Sequence, residues 1–139
     1  MSRRSSRRPS AFNPTSPCPC GLDKSYGECC GRMHRGHVTA STAELLMRSR
    51  FSAFAVADEA YLLRTWHPTT RPSHIEFDPE QRWSRLEILG TTGGSVLHGE
   101  GTVEFRAHYS QHGCESALHE NSRFVRADGR WVYLNAHIN

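Results

Sequence analysis

Four of the five cysteines in this 139-residue chain fall between Cys18 and Cys30, as Cys18-x-Cys20, eight intervening residues and the pair Cys29-Cys30. No hydrophobic run accompanies them, so they do not read as core filler. Gly21, Gly27 and Gly31 free the backbone to turn back on itself and bring the two pairs to one centre. A thiolate tetrahedron suits zinc, with Zn–S bonds of about 2.3 Å. One or two disulfides are the alternative, and these need an oxidising compartment. The spacing leads us to expect one zinc per chain on Cys18, Cys20, Cys29 and Cys30. His34, one helical turn beyond Cys30, competes for the fourth place. Four thiolates with no open position make a structural site rather than a catalytic one.

Charge divides the chain. The first 50 residues carry nine basic residues against Asp23, Glu28 and Glu44, and the remainder carries eight basic against eleven acidic, so the overall +3 belongs to the N-terminal part. Such a bias suits a polyanionic partner, RNA or an acidic protein face, contacted by the leader and the cysteine segment. A solvated leader without a partner is the plainer alternative. No apolar run approaches the roughly 20 residues that span a bilayer. Ser2-Arg3-Arg4 is not followed by the apolar segment of an export signal. Reduced cysteines and no such signal lead us to expect a cytoplasmic protein.

Residues 1–16, rich in Ser, Arg and Pro, read as a disordered leader. Residues 17–36 form the cysteine knuckle, and 41–139 the main domain. Ser41-Thr42-Ala43-Glu44 reads as a capping box with Ser41 at the N-cap. The helix after it carries Leu46, Met47, Phe51, Phe54 and Ala55 at helical spacing. Asp58 caps a second helix bearing Leu62, Leu63 and Trp66, which ends before Pro68. Asp78-Pro79-Glu80 predicts a short third helix from Pro79 to Ser84.

From there period 2 replaces period 3.6. A strand covers Leu86 to Leu89, a turn Thr92 to Ser95, and Val103, Phe105, Ala107 and Tyr109 alternate onto one face of the next strand. Further strands run from about 116 to 126 and from 131 to 137 around an Asp128-Gly129 hairpin. The expected fold is α+β, with helices on one face of a curved four-stranded antiparallel meander. The knuckle has too little apolar sequence to fold alone, so metal supplies its folding energy. The sheet domain, with a core of its own, is expected to survive chelation.

Cys-Pro-Cys-Gly-x₄-Tyr-x₂-Cys-Cys resembles the SEC-C motif, the zinc knuckle on the tail of the protein-translocase ATPase and on many small bacterial proteins. Leu22 and Asp23 replace its usual Ser-Gly pair, while Lys24 and Tyr26 stand in their usual places. In the translocase form a histidine directly follows the third cysteine, and Cys30 holds that position here. Leu46 to Phe54, Tyr61-Leu62-x₂-Thr65-Trp66-His67-Pro68, His119-Glu120-x-Ser122-x-Phe124 and Gly129-x-Trp131-x-Tyr133 look like the YchJ family. That resemblance implies a structural zinc and a domain similar to nuclear transport factor 2 and the steroid isomerases, a sheet and helices around a conical pocket. It implies no particular activity.

Within such a cone, Tyr61, Trp66, His67, Trp83, Glu120, Ser122 and Phe124 are the expected lining, with Glu104 and His119 nearby. Leu118, Glu120, Ser122 and Phe124 share one face of their strand, so burying Leu118 and Phe124 carries Glu120 and Ser122 inward. A one-residue slip would instead turn His119 and Arg123 inward. A carboxylate in an apolar pocket gains a raised pKa and can act as a general acid or base, with His67 as partner. The plainer alternative pairs Glu120 with Arg48, Arg50 or Trp66 as a tie between helix and sheet. Cys114, at a hairpin tip, reads as an incidental exposed thiol.

Three functions follow from these residues. One is a zinc-binding adaptor, monomer or dimer, whose knuckle and leader contact a protein or RNA and whose pocket is a scaffold or takes a small ligand. A second is a steroid-isomerase or dehydratase type of enzyme using Glu120 or His67 for proton transfer. The third is purely structural, with an obligate partner packed on the open sheet.

Overall fold

The computed structural model describes residues 12–138. A 3-10 turn at Tyr26–Glu28 leads into α1 (Cys30–His34), then α2 (Ala43–Val56) and α3 (Glu59–Arg64). The strands follow as β1 (Gln81–Gly93), β2 (Glu100–Gln111), β3 (Cys114–Ala127) and β4 (Arg130–Ile138). They pair antiparallel in sequence order, a meander with the helices against it. Among the described residues no helix is long and apolar enough to cross a membrane.

Helix α2 is buried on two sides. Its start is set by Thr42, whose Oγ1 accepts the Leu45 amide at 3.1 Å. The cap therefore lies one residue later than the expected Ser41, and Glu44 does not close a capping box. Instead Glu44 accepts a hydrogen bond from Arg48 Nε at 3.0 Å, the i,i+4 partner on the same face. Ala43, Leu46, Met47 and Phe51 pack with Leu86, Val103, Phe105, Ala107, Phe124 and Trp131 of the sheet. On the opposite side, Ala53 and Val56 pack with Tyr61, Leu62 and the knuckle residues. The helix stops at Ala57, left-handed at φ 60°, and Asp58 Oδ1 at once caps α3 through the Tyr61 amide at 3.1 Å.

The short helix expected from Pro79 to Ser84 is absent, because strand pairing takes those residues. β1 begins at Gln81, opposite Gln111, and Trp83 stands opposite Tyr109 with ring centroids 5.0 Å apart. Phe51 and Phe54 of α2 meet the same indole. Asp78 still serves a turn, its Oδ1 accepting the Glu80 amide at 2.9 Å. One capped turn is a weaker stabiliser than a sheet ladder with aromatic packing on one face. Register shifts between Trp83 and Arg85, between Ile88 and Gly90, and at Arg123/Phe124 bend the sheet towards α2. At the β3–β4 hairpin, Asp128 and Gly129 both have positive φ, 53° and 79°, as a tight two-residue turn requires.

The reading of 1–16 as a disordered leader falls for residues 1–11 outside the described residues. Phe12 to Ser16 pack on the knuckle. The Phe12 ring meets Tyr26 edge-on at 5.0 Å, and the carbonyls of Pro14 and Ser16 each accept an amide, of Gly27 and Tyr26, at 2.8 Å.

Candidate metal centre and cavity

The segment from Cys18 to Lys24 folds into a small loop, closed by the Cys18 amide on the Lys24 carbonyl at 3.0 Å. It delivers Cys18 and Cys20 to one side, and the 3-10 turn delivers Cys29 and Cys30 to the other. Gly31 allows the second half: a Cβ there would lie 2.7 Å from the Tyr26 carbonyl oxygen. The four sulfurs lie within 4.8 Å of one another, Cys20 and Cys29 at 3.6 Å, and all four residues are buried free thiols. A tetrahedral ion with bonds of about 2.3 Å needs sulfurs about 3.8 Å apart, so this set can hold a metal.

The four thiols do not ionise alike. Side-chain hydrogen bonds from Cys20 and Cys30 hold the Cys18 thiol far below its usual range. Cys18 in turn pushes Cys20 and Cys30 up through those same bonds, and burial pushes Cys29 up to about 12. One thiolate is accommodated easily and three more are opposed. A divalent cation at the centre reverses that order by stabilising every thiolate it binds.

Helix α2 supplies the surroundings of the sulfurs. Ser52 Oγ lies 3.6 Å from Cys18 Sγ, and Arg48 Nη1 donates to the Cys20 carbonyl at 2.7 Å. His34 faces away from the cysteines. Its Nε2 is 2.8 Å from the Ser49 carbonyl oxygen, which can only accept, so Nε2 carries the proton. Nδ1 is then left to accept from the Tyr26 hydroxyl at 2.6 Å. Burial lowers the His34 pKa, in keeping with a neutral ring, and pushes Tyr26 up to about 12. Ser49 Oγ donates to the Leu46 carbonyl and receives the Tyr61 hydroxyl at 2.7 Å, and Arg64 donates to the carbonyls of Met33 and His34. Sequence reasoning missed Ser49, Ser52 and Arg64, and it offered Arg48 as a partner for Glu120 where the structure engages it at Glu44 and the Cys20 carbonyl. Ser49, Ser52, Ala53 and Val56 do follow helical spacing, and that stripe of small residues was the available signal.

On the other side of α2, against the concave sheet, lies a cavity of about 270 Å³. Trp66, Trp83, Glu120 and Ser122 line it, together with Arg50, Tyr133 and an apolar wall that includes Phe51, Phe54, Phe105 and Leu118. Three expected lining residues lie elsewhere. Tyr61 turns to the knuckle side, its ring 4.6 Å from His34. Phe124 is fully buried in the core, next to the β3 bulge. His67 follows the end of α3 and closes a turn, with Nδ1 accepting the Thr69 amide at 3.1 Å.

Glu120 points inward, as the register of Leu118 and Phe124 requires, and burial raises its pKa. Among the described residues it has no ion-pair partner, since Arg48 is engaged at Glu44 and Cys20. Glu104 and His119 pair with each other at 2.8 Å, away from the cavity. Cys114 is exposed.

Cysteine cluster and cavity together define a class, a SEC-C knuckle built onto a nuclear transport factor 2-like domain. Residues 15–32 match the SEC-C motif, and 42–136 match the family described as YchJ, middle NTF2-like domain. The chain belongs to this YchJ-like family. It is 56% identical over 132 residues to a UPF0225 protein of Streptomyces avermitilis, covering 95% of this chain and 91% of that one. It is 58% identical over 122 residues to a UPF0225 protein of Streptomyces coelicolor, covering 88% and 95%. The fold is similar to the solution structure of a SEC-C motif containing protein from Rhodopseudomonas palustris, with TM-score 0.77 and 33% identity over 88% of this chain and 98% of that one. A SEC-C motif containing protein from Psychrobacter arcticus gives TM-score 0.73 at 26% identity, over 91% and 84%.

Proposed function

We propose that the protein is a zinc-organised binding module. One Zn²⁺ on Cys18, Cys20, Cys29 and Cys30 serves structure, and the cavity between α2 and the sheet takes a small molecule. Four thiolates leave no position for substrate at the metal. The observation that carries this reading is that one helix serves both places. Arg48, Ser49 and Ser52 of α2 touch the knuckle, while Met47, Arg50, Phe51 and Phe54 of the same helix line the cavity. Holding the metal therefore fixes a wall of the cavity, and metal-binding free energy becomes folding free energy.

Thiolate ligands need a reducing compartment, which supports placement in the cytoplasm. The knuckle surface exposes Asp23, Lys24, Glu28, Arg32 and Arg35, both signs together. An adaptor contact to RNA or an acidic protein would draw its charge from the leader instead. The raised pKa of Glu120 favours a second reading, proton transfer on the bound molecule, in which His67 has no direct part, since it does not line the cavity and its Nδ1 is engaged by Thr69.

The test uses the full chain. Elemental analysis should find one zinc, and aromatic fragments should shift the indole N–H resonances of Trp66 and Trp83 in NMR spectra. Ala107→Phe, which fills the cavity, should abolish those shifts. A fragment recovered chemically unchanged after long incubation supports binding, and a converted fragment supports the proton-transfer reading. Absence of zinc, or shifts that persist in Ala107→Phe, would overturn the proposal.

A further inference from the structure

The cavity's polar groups are few and poorly matched to one another. Arg50 is 4% exposed, and its Nη1 donates to the Leu62 carbonyl at 2.9 Å and to Thr65 Oγ1 at 2.8 Å. Its guanidinium carbon stands 4.9 Å from the Trp66 ring centroid and 4.6 Å from that of Tyr133. No carboxylate lies within ion-pair distance of it among the described residues. Buried guanidinium groups ordinarily have a counter-charge. Beside it, Trp66 Nε1 is a buried donor with no hydrogen-bond partner. Both residues line the same cavity.

We infer that this cavity takes a compact apolar carboxylate, its anionic head at Arg50 and Trp66 and its body among Phe51, Phe54, Trp83 and Phe105. The inference rests on the cavity being a binding site, as proposed above. A carboxylate supplies the charge that Arg50 lacks and an acceptor for the Trp66 indole. A cationic head would meet Arg50 as a like charge. A phosphate carries more charge and more acceptors than one guanidinium and one indole N–H satisfy, and phenyl and indole walls do not solvate it. The size agrees. About 270 Å³ lies just below the usual range of small-molecule pockets, roughly 300–1,000 Å³, and fits a ring with one substituent. Glu120 lines the same cavity, and burial raises its pKa, which favours the neutral carboxyl, the form that can donate a hydrogen bond to the ligand.

Three probes with one body and different heads test this on the zinc-loaded full chain: benzoate, benzamide and benzylamine. Binding is followed by the indole N–H resonances of Trp66 and Trp83. Benzoate should bind, with the Trp66 signal moving most, and benzamide about tenfold or more weakly, since hydrogen bonds to a charged group are the stronger ones. Benzylamine should not bind. Arg50→Lys keeps a charge without the planar fork and should weaken benzoate severalfold. Ala107→Phe leaves every polar group in place and should abolish binding. If benzamide or benzylamine binds as tightly as benzoate and Ala107→Phe blocks it, the cavity is a ligand site but the carboxylate assignment is wrong. If none of the three binds, or the shifts survive Ala107→Phe, both are wrong. Should Arg50→Lys fail to fold, the head-group series with Ala107→Phe decides alone.

Discussion

Replacing His34 with phenylalanine keeps a ring of similar size in place and removes two hydrogen bonds. The Tyr26 hydroxyl loses its acceptor at 2.6 Å, and the Ser49 carbonyl loses its donor at 2.8 Å. Tyr26 is buried, 8% exposed, so its hydroxyl is stranded away from water. A stranded buried donor costs about 1–3 kcal/mol and an ordinary lost hydrogen bond about 0.5–1.5, together about 2–4 kcal/mol. At about 4 °C per kcal/mol for a chain of this size, the melting temperature should fall by about 8–16 °C. Zinc content at room temperature should stay at one per chain, because both ring nitrogens point at Tyr26 and Ser49 and neither at the sulfurs. Thermal melts by circular dichroism, beside a zinc determination on the same sample, check both halves. A variant that melts with the parent refutes the hydrogen-bond argument. A variant that is folded but zinc-free makes His34 a ligand and refutes the geometry of the centre.

Ser52→Ala removes the hydroxyl beside Cys18 Sγ and should weaken zinc affinity about 10- to 100-fold in competition with a chromophoric chelator; unchanged affinity would rule out that contact. Gly31→Ala places a Cβ 2.7 Å from the Tyr26 carbonyl and should cost about 1–3 kcal/mol in a denaturant melt. Glu120→Gln has a pH signature. Burial raises the carboxyl's folded-state pKa, so its stabilising contribution is complete below the unfolded value and is lost as pH rises through the folded one. Glutamine has no such loss, so the variant should gain on the parent in melts taken from about pH 4 to pH 8. A constant difference across that range would show that the carboxyl is not desolvated.

Much of this molecule is legible in its sequence wherever one signal dominates. The cysteine spacing picks out the four buried sulfurs that converge, the alternation of Val103, Phe105 and Ala107 identifies an inward face, and Asp58 announces α3. Reading failed where two signals competed. Asp78-Pro79-Glu80 is a good helix start, but the aromatic packing of Trp83 on Tyr109, Phe51 and Phe54 is a long-range effect that no local pattern carries. The apolar spacing of α2 marks one buried face, Leu46, Met47, Phe51 and Phe54, and does not mark the other, where polar Ser49 and Ser52 stand. Both are buried under the knuckle: Ser52 meets the Cys18 sulfur, the Ser49 carbonyl meets the His34 ring nitrogen, and the Ser49 hydroxyl is satisfied by the Leu46 carbonyl and the Tyr61 hydroxyl. The expectation that the sheet survives chelation now turns on the helices: Ala53, Val56, Tyr61 and Leu62 share one core cluster with the four cysteines, while the sheet packs in a cluster with the other side of α2. The mismatch of Arg50, Trp66 and Glu120 has no sequence signature at all, since it depends on which partners fail to arrive.

That shared core makes the central claim testable in one titration. Trp66, Trp83 and Trp131 all lie outside residues 17–36, so their near-ultraviolet circular dichroism reports the helices and sheet and not the knuckle. Chelator is added stepwise while released zinc and the tryptophan signal are read together. Metal that organises α2 predicts one equivalent of zinc leaving in step with the tryptophan signal. Zinc leaving while that signal stays intact would contradict it, and would mean that the knuckle is a separate unit hung on a self-sufficient domain.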